Sequence, residues 1–191
     1  MSSVWRCERH GAVSPLRVLV RPSMDALRAA ADHTGVPLWA PLPLMAGWSV
    51  TGLATVGDER GPTTATVLAL TGPSPLGGPA DLLLIAEEPG VGVGARYAGL
   101  DSLDPGECAA GPPDAKVEAA GHPTALWRCE SAPDRVAFVG EAMGVWLYAV
   151  LWPPAAELVL LEHVVLHDLR AEAHSAIELP FGAPSPRLTA A

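Results

Sequence analysis

Alternating and continuous runs of apolar residues predict that most of this chain folds into β-strands. Two runs of β-forming residues, 48–56 and 63–71, flank a turn at residues 57–61 and predict a β-hairpin. Apolar and polar residues alternate in the first run, so we predict a strand with one buried face. The side chains expected on that face are Trp48, Val50, Ala54 and Val56.

Two later runs are apolar without interruption, which is typical of strands buried on both faces. They comprise residues 82–86 and 145–152, and we place the second run in the middle of the sheet. Further strands are predicted at residues 115–120, 124–130 and 135–140. The tight turns between consecutive strands favour an α+β fold, in which helices pack on a mostly antiparallel sheet.

Helical patterns are fewer than strand patterns. Ser23 can cap a helix that follows it and ends before Gly35, and a short helix is predicted near residues 95–100. Apolar residues recur at helical spacing between residues 158 and 169, where β-branched valines leave a strand as the alternative. We therefore expect two or three helices.

Changes in composition divide the chain into three parts. Residues 1–16 form a predicted knuckle-like β-hairpin, residues 17–178 a single α+β domain, and residues 179–191 a proline-rich carboxyl-terminal tail. The chain has 191 residues, of which 49% are hydrophobic, and this is sufficient for a substantial core.

The charge balance argues against nucleic acid and membranes as partners. The chain has 12 Lys and Arg residues against 21 Asp and Glu residues, a formal net charge of −9. Phosphate groups are bound by basic surfaces, and anionic lipid headgroups repel an acidic one. We therefore expect no nucleic acid and no membrane insertion, and we expect an unknown protein as the partner.

The longest uncharged stretch is not expected to cross a membrane. Residues 36–57 are long enough by count, but Pro37, Pro41 and Pro43 interrupt the continuous helix that lipid demands. Three cysteines cannot pair completely, and the first residues lack the pattern of a secretory signal. Together these features predict a cytoplasmic protein.

Two pairs of residues have the spacing of metal ligands. Cys7 and His10 have the C-x-x-H spacing of a zinc knuckle, but structural zinc needs four ligands and no second pair of suitable spacing follows. His163 and His167 would share one face of either a helix or a strand. They are the weaker metal candidate, because no glutamate between them could act as a general base.

A glycine-rich segment after residue 88 is the candidate site for a small ligand. Its glycines could let backbone N–H groups approach an anion. The expected ligand-binding residues are Gly92, Gly94, Arg96 and Tyr97. No catalytic residue is predicted, because the chain has no G-x-S-x-G elbow and because Glu87 and Glu88 should point to opposite sides of a strand.

Five segments of the chain carry a resemblance to a known family. They read WRCERHG (residues 5–11), PLMAGW (43–48), GPSPLGG (72–78), GVGARYAGLD (92–101) and LPFGAPSPRL (179–188). They resemble an uncharacterised family of high-GC Gram-positive bacteria that carries a domain-of-unknown-function label. Some of its members bear the automatic name phosphotransacetylase, which implies acyl or phosphate transfer, but the chain shows no motif for acyl phosphate or coenzyme A.

The same resemblance bears on zinc. In the family pattern a C-x-x-C pair precedes the C-x-x-H, and the two together resemble a zinc ribbon. The ligand role carries over only to Cys7 and His10, so we expect zinc only if a cysteine pair lies upstream of Met1. Without that pair the hairpin is expected to be a zinc-ribbon remnant.

These patterns lead to two functional hypotheses. The first is a non-catalytic protein-interaction or regulatory module. The alternative is a small-ligand binder, or an acyl- or phosphate-transfer enzyme, that uses the glycine-rich residues 89–101.

Overall fold

The computed structural model describes residues 6–7, 11–12, 15–19, 21–57, 61–172 and 178–188. The strands in these ranges are β1 (Arg6–Cys7), β2 (Gly11–Ala12), β3 (Leu16–Leu19), β4 (Trp39–Pro41), β5 (Ser49–Val56), β6 (Ala65–Pro73), β7 (Pro79–Glu87), β8 (Ala115–Ala119), β9 (His122–Cys129), β10 (Val136–Ala142), β11 (Val145–Trp152) and β12 (Val165–Asp168). The helices are α1 (Met24–His33), α2 (Val93–Ala98) and α3 (Leu169–Glu172), with 3₁₀ helices at Gly106–Ala109 and Pro154–Leu161.

Ten of the described strands form one sheet in the order β3-β5-β6-β7-β11-β10-β9-β8-β12-β4, and β1 pairs separately with β2. Every neighbouring pair in the large sheet is antiparallel except β8 and β12, which run parallel. The predicted α+β fold with a mostly antiparallel sheet is therefore confirmed. None of the described helices is long and apolar enough to cross a membrane.

The large sheet has a hydrophobic core on each face. Strand β4, at the end of the sheet, contacts β6 and β7, so the sheet curls back over one of its own faces. The first core lies inside this curl and includes Leu27 of α1, Trp39 and Leu84. The second core lies on the opposite face and includes Ile85, Tyr148 and Leu188. Alternation in the central strands supplies both cores, because successive side chains point to opposite faces.

Several local predictions are confirmed. Ser23 caps α1 by accepting a hydrogen bond from the N–H of Ala26 at 3.2 Å. β11 is the fifth of the ten strands, in the middle of the sheet. β5 and β6 form the expected antiparallel hairpin. β7 sends alternate side chains into the two cores, as its continuous apolar sequence predicts.

The predicted common face of β5 is wrong. A β-bulge between Val50 and Gly52 inserts one extra residue and shifts the pairing register with β6. Trp48 and Val50 therefore lie in the first core, whereas Ala54 lies in the second. Strict alternation fails beyond the bulge because the extra residue exchanges the two faces of the strand.

The helix predicted between residues 158 and 169 is wrong for its second half. The structure has a 3₁₀ helix at Pro154–Leu161 and then the strand β12, so the strand alternative is the correct one. β12 is held from two sides, by β8 and by β4. The carbonyl of Val164 accepts a hydrogen bond from the N–H of Glu118 at 3.0 Å. This backbone pairing, together with β-branched valines that favour extended chain, overrides the helical spacing.

Residues 178–188 pack against the sheet, and residues 186–187 form a turn before Leu188. The N–H of Val50 donates to the carbonyl of Pro180 at 2.8 Å, and the N–H of Ser185 donates to the carbonyl of Thr51 at 2.8 Å. Leu188 is buried in the second core, and Arg187 forms an ion pair with Asp81 at 2.9 Å. The described part of the predicted tail is thus anchored along β5 and β7.

Candidate functional site

The glycine-rich segment, which we define as residues 88–113, covers one end of the second core. It contains α2, which begins after Gly92 and ends at Gly99, two residues with positive φ angles of 82° and 83°. Gly94 lies against the ring of Tyr148, and a β-carbon at this position would overlap that ring. The approach of α2 to the sheet therefore depends on a residue without a side chain.

Glu87 is the central polar residue beneath this segment. It ends β7 and is fully buried. Its Oε2 accepts hydrogen bonds from the N–H groups of Val93 at 2.6 Å and Gly94 at 3.0 Å. Its Oε1 is buried and has no hydrogen-bond partner among the described residues. The next residue, Glu88, is exposed, as expected for adjacent positions on a strand.

The environment of Glu87 favours the protonated acid. Burial, reinforced by the charge of Asp104, raises the pKa of Glu87 from 4.5 to about 7, while the two backbone N–H groups act in the opposite direction. The carboxyl group therefore changes its charge close to neutral pH. Few side chains other than histidine do so.

Tyr148 and Trp146 lie beside Glu87 on the same face of the sheet. Trp146 of β11 is directly opposite Glu87, and Tyr148 is two residues further along β11. The Tyr148 hydroxyl is buried and has no hydrogen-bond partner among the described residues. Burial raises its pKa, and the nearby acidic groups of Glu87, Cys129, Asp104 and Cys108 raise it further. Glu87, Asp104 and the two cysteines are therefore close enough to Tyr148 to interact with it electrostatically.

Two indole groups and one carboxylate fasten the glycine-rich segment to the sheet. Asp104 Oδ1 accepts hydrogen bonds from the N–H of Gly90 at 2.8 Å and from Nε1 of Trp146 at 3.1 Å. Nε1 of Trp127 donates to the carbonyl of Gly111 at 2.9 Å. Together with the bonds to Glu87, these contacts set the position of the segment over the second core.

Two free thiols lie close together, one within the glycine-rich segment and one on the sheet beneath it. Cys129 of β9 is buried, and Cys108 lies in the 3₁₀ helix Gly106–Ala109 and is partly buried. Burial raises the pKa of Cys129, and a hydrogen bond and proximity to Cys108 raise it further. The raised pKa keeps the Cys129 thiol protonated and weakly nucleophilic at neutral pH.

A family of unknown function, DUF6758, matches residues 1–188 of the sequence. The chain belongs to DUF6758. No curated protein matches it, and no solved structure matches it. The sequence resemblance to a family with a domain-of-unknown-function label is thereby confirmed.

The four residues predicted to bind a ligand differ from one another in their exposure and in their hydrogen-bond partners. The N–H of Gly94 is bound to Glu87, and the carbonyl of Gly92 accepts a hydrogen bond from the N–H of Arg96 at 3.1 Å. The side chain of Arg96 is exposed, whereas Tyr97 is buried and its hydroxyl has no partner among the described residues. Ligand binding by these four residues remains a prediction.

Sequence reasoning missed the residues that the fold gathers within and beneath the segment. They are Glu87, Asp104, Tyr148, Trp146, Cys108 and Cys129. One sequence signal was available, since Glu87 follows directly on the uninterrupted apolar run of β7. A carboxyl group at the end of such a strand needs a partner when it is buried.

Only one of the two predicted metal-ligand pairs lies fully within the described residues, so zinc binding by the other pair remains a prediction. The side chain of Cys7 and all of His10 lie outside the described residues. His163 lies exposed before β12, with Nε2 at 3.9 Å from Oε2 of Glu118, and His167 lies within β12. Within the described ranges, no three His, Cys, Asp or Glu side chains are placed to hold a metal ion.

Proposed function

We propose that this DUF6758 chain is a small-ligand-binding module, with its site between the glycine-rich segment and the second core. The observation that carries the proposal is a pair of buried polar atoms, Oε1 of Glu87 and the hydroxyl of Tyr148. Neither atom has a hydrogen-bond partner among the described residues. They belong to neighbouring positions on one face of the sheet.

The free-energy cost of burying these two groups without hydrogen-bond partners supports a bound ligand. A buried polar group without a partner costs about 1–3 kcal/mol, and buried polar atoms in proteins nearly always have a partner. A bound molecule with complementary polar groups would offset this cost for both residues at once. A site of this kind suits small molecules, which are bound by a few convergent polar groups within apolar surroundings.

The cover over the site is suited to opening. Helix α2 has only six residues and is flanked by glycines with positive φ. Its N-terminal end is attached to β7 through the Glu87 carboxylate. Short elements held by few hydrogen bonds open at lower free energy than central strands. Entry of a ligand is therefore proposed to require displacement of α2 from Tyr148.

The test combines native mass spectrometry with thermal unfolding. The full chain, purified from its own source, is examined for a retained small molecule. Its unfolding temperature is then measured with alkylamines, carboxylates, alcohols, acetyl phosphate, coenzyme A and nucleotides. A ligand at about 100 times its dissociation constant stabilises the folded state by about 2.7 kcal/mol, so binding is readily detected.

Two isosteric variants link any binding to the site. Glu87→Gln and Tyr148→Phe should each weaken the stabilisation, because each changes one of the two unpartnered groups. Glu118→Gln is the matched control, since it removes a carboxylate from β8 and should leave binding intact. A chain that retains no molecule and responds to no compound, or one whose response survives both site variants, contradicts the proposal.

A protein-interaction or regulatory module is the second candidate. The observation that favours it is Leu76, an apolar side chain that is 71% exposed in the turn between β6 and β7. A photoreactive amino acid at this position should crosslink a partner, whereas one at the exposed Lys116 should not. Equal crosslinking at both positions, or none at Leu76, contradicts this candidate.

A further inference from the structure

We propose that the ligand of this site is a small organic cation, an alkylammonium ion, which binds to Glu87, Tyr148 and Trp146. This inference rests on the proposed function and specifies its ligand class. It differs from the anion that the glycine-rich sequence suggests. Three features of the described residues carry it: the charges around the site, the use of the backbone donors and the aromatic surface.

The charges around the site are predominantly negative. Between residues 87 and 108 the acidic residues are Glu87, Glu88, Asp101, Asp104 and Glu107, and the single basic residue is Arg96, whose side chain is exposed. On the sheet, Trp146 lies between Glu87 on β7 and Glu141 on β10, and all three share one face. Acid groups on both sides of an aromatic ring attract a cation and repel an anion.

Three backbone donors that could bind an anion are already used. The N–H groups of Val93 and Gly94 donate to Glu87, and the N–H of Gly90 donates to Asp104. Among the described residues of this site, the buried side-chain atoms without partners are Oε1 of Glu87, which accepts hydrogen bonds when ionised, and the hydroxyls of Tyr148 and Tyr97. Such atoms suit a ligand that donates hydrogen bonds, and an ammonium group has only donors.

Aromatic rings complete the site. Tyr148 and Trp146 project from the same face of β11 at successive positions on that face. An ammonium group beside the face of a tryptophan or tyrosine ring is attracted by the ring's electron distribution. Trp146 is only partly buried and Glu141 is exposed, so this side of the site is the proposed entrance.

Binding is proposed to change the protonation of Glu87. The ammonium N–H groups donate to Oε1 of Glu87 and to the oxygen of Tyr148. The positive charge favours the carboxylate, so the protonated fraction of Glu87 releases its proton to solvent. The titratable groups that interact electrostatically with it are Asp104 and Tyr148. Tyr97 and the exposed Arg96 lie on α2, and Glu141 lies on the far side of Trp146.

The experiment titrates the full chain with three probes of similar size and different charge: n-butylammonium, n-butanol and butyrate. Binding is followed by calorimetry and by the NMR signals of the tryptophan side chains. We expect n-butylammonium to bind at least about tenfold more tightly than n-butanol, because only the cation gains the charge-assisted hydrogen bond. Butyrate should bind most weakly.

Calorimetry in buffers of different ionisation enthalpy gives a second readout. Between about pH 6 and pH 7, n-butylammonium should release a fraction of a proton on binding, whereas n-butanol should release none. Glu87→Gln should abolish this release and weaken the cation at least about tenfold. The control variant Glu118→Gln should retain both the affinity and the release.

The outcomes separate this inference from the proposed function. If n-butanol or butyrate binds as tightly as the cation and depends on Glu87 and Tyr148, the cation inference is wrong and the ligand site stands. The cation inference is also wrong, and the ligand site stands, if another compound of the wider panel binds there and n-butylammonium does not. If no compound binds and the purified chain retains none, both proposals fail.

Discussion

Glu87 shows how one residue can make stability depend on pH. Its pKa in the folded chain is about 7, against 4.5 for an ordinary glutamate. Between these values the folded state holds a proton that the unfolded state has lost, so the free energy of unfolding falls as pH rises. The fall ends above the folded pKa, where both states are ionised. This direction is opposite to that of a salt-bridged carboxylate.

We therefore expect Glu87→Gln to change the pH profile of stability. As the pH rises from the ordinary pKa to the raised one, wild type should lose on the order of 3 kcal/mol of unfolding free energy through Glu87. The variant has no ionisable group at this position and should not show this loss. Denaturant unfolding at a series of pH values measures this difference. Glu118→Gln, which changes a partly exposed glutamate, is the control. Parallel profiles for wild type and Glu87→Gln would show that Glu87 is not the titrating group.

Gly94 is a second position where a single residue matters. A methyl group in Gly94→Ala would overlap the ring of Tyr148. We expect this variant to lose about 1–3 kcal/mol of stability, because extra volume at a closely packed contact forces neighbours to move. In a Tyr148→Ala background the same change should cost much less. Urea unfolding of the four chains measures the coupling, and additive effects would contradict the proposed contact.

At the scale of elements, the carboxyl-terminal segment acts as part of the sheet. Its Leu188 packs over Gly52 at the bulge of β5, where a β-carbon would overlap the leucine. Arg187 pairs with Asp81 and lies over the ring of Trp152, 5.1 Å from its centroid. A segment that looks like a tail in sequence therefore closes the second core.

Removing the Leu188 side chain tests this role. We expect Leu188→Ala to lower the free energy of unfolding by about 2–4 kcal/mol, because it leaves a cavity against β5. Leu76→Ala is the matched control, since Leu76 is mostly exposed and should change stability by less than about 0.5 kcal/mol. Chemical denaturation of both variants gives the comparison. A similar effect for the two leucines would contradict the packing described.

At the scale of the whole molecule, sequence patterns predicted strands better than they predicted the site. The apolar run of β11 located the middle of the sheet, because burial on both faces leaves a continuous signature. The bulge in β5 left no such signature, and it reversed the face of Ala54. β12 was ambiguous because its conformation is decided by β4 and β8, which are distant in sequence.

The candidate site could not be assembled from local patterns for the same reason. Trp146 and Asp104 are hydrogen-bonded across 42 positions of the chain. Glu87 and Gly94 are close in sequence, but the burial that raises the pKa of Glu87 depends on tertiary packing that local patterns do not show. The glycine-rich sequence predicted that the backbone comes close to another group. At Gly94 that group is the ring of Tyr148, a side chain of the same protein.

The pairing of β4 with β12 has a consequence for how the protein is made. β4 ends at Pro41, whereas β12 begins at Val165, so translation must pass Val165 before this pair can form. Contacts of such long sequence separation slow folding, and nascent chains that wait for them expose apolar surface. Trp39 is fully buried in the folded protein, so its side chain is expected to remain exposed during synthesis until β12 has been translated.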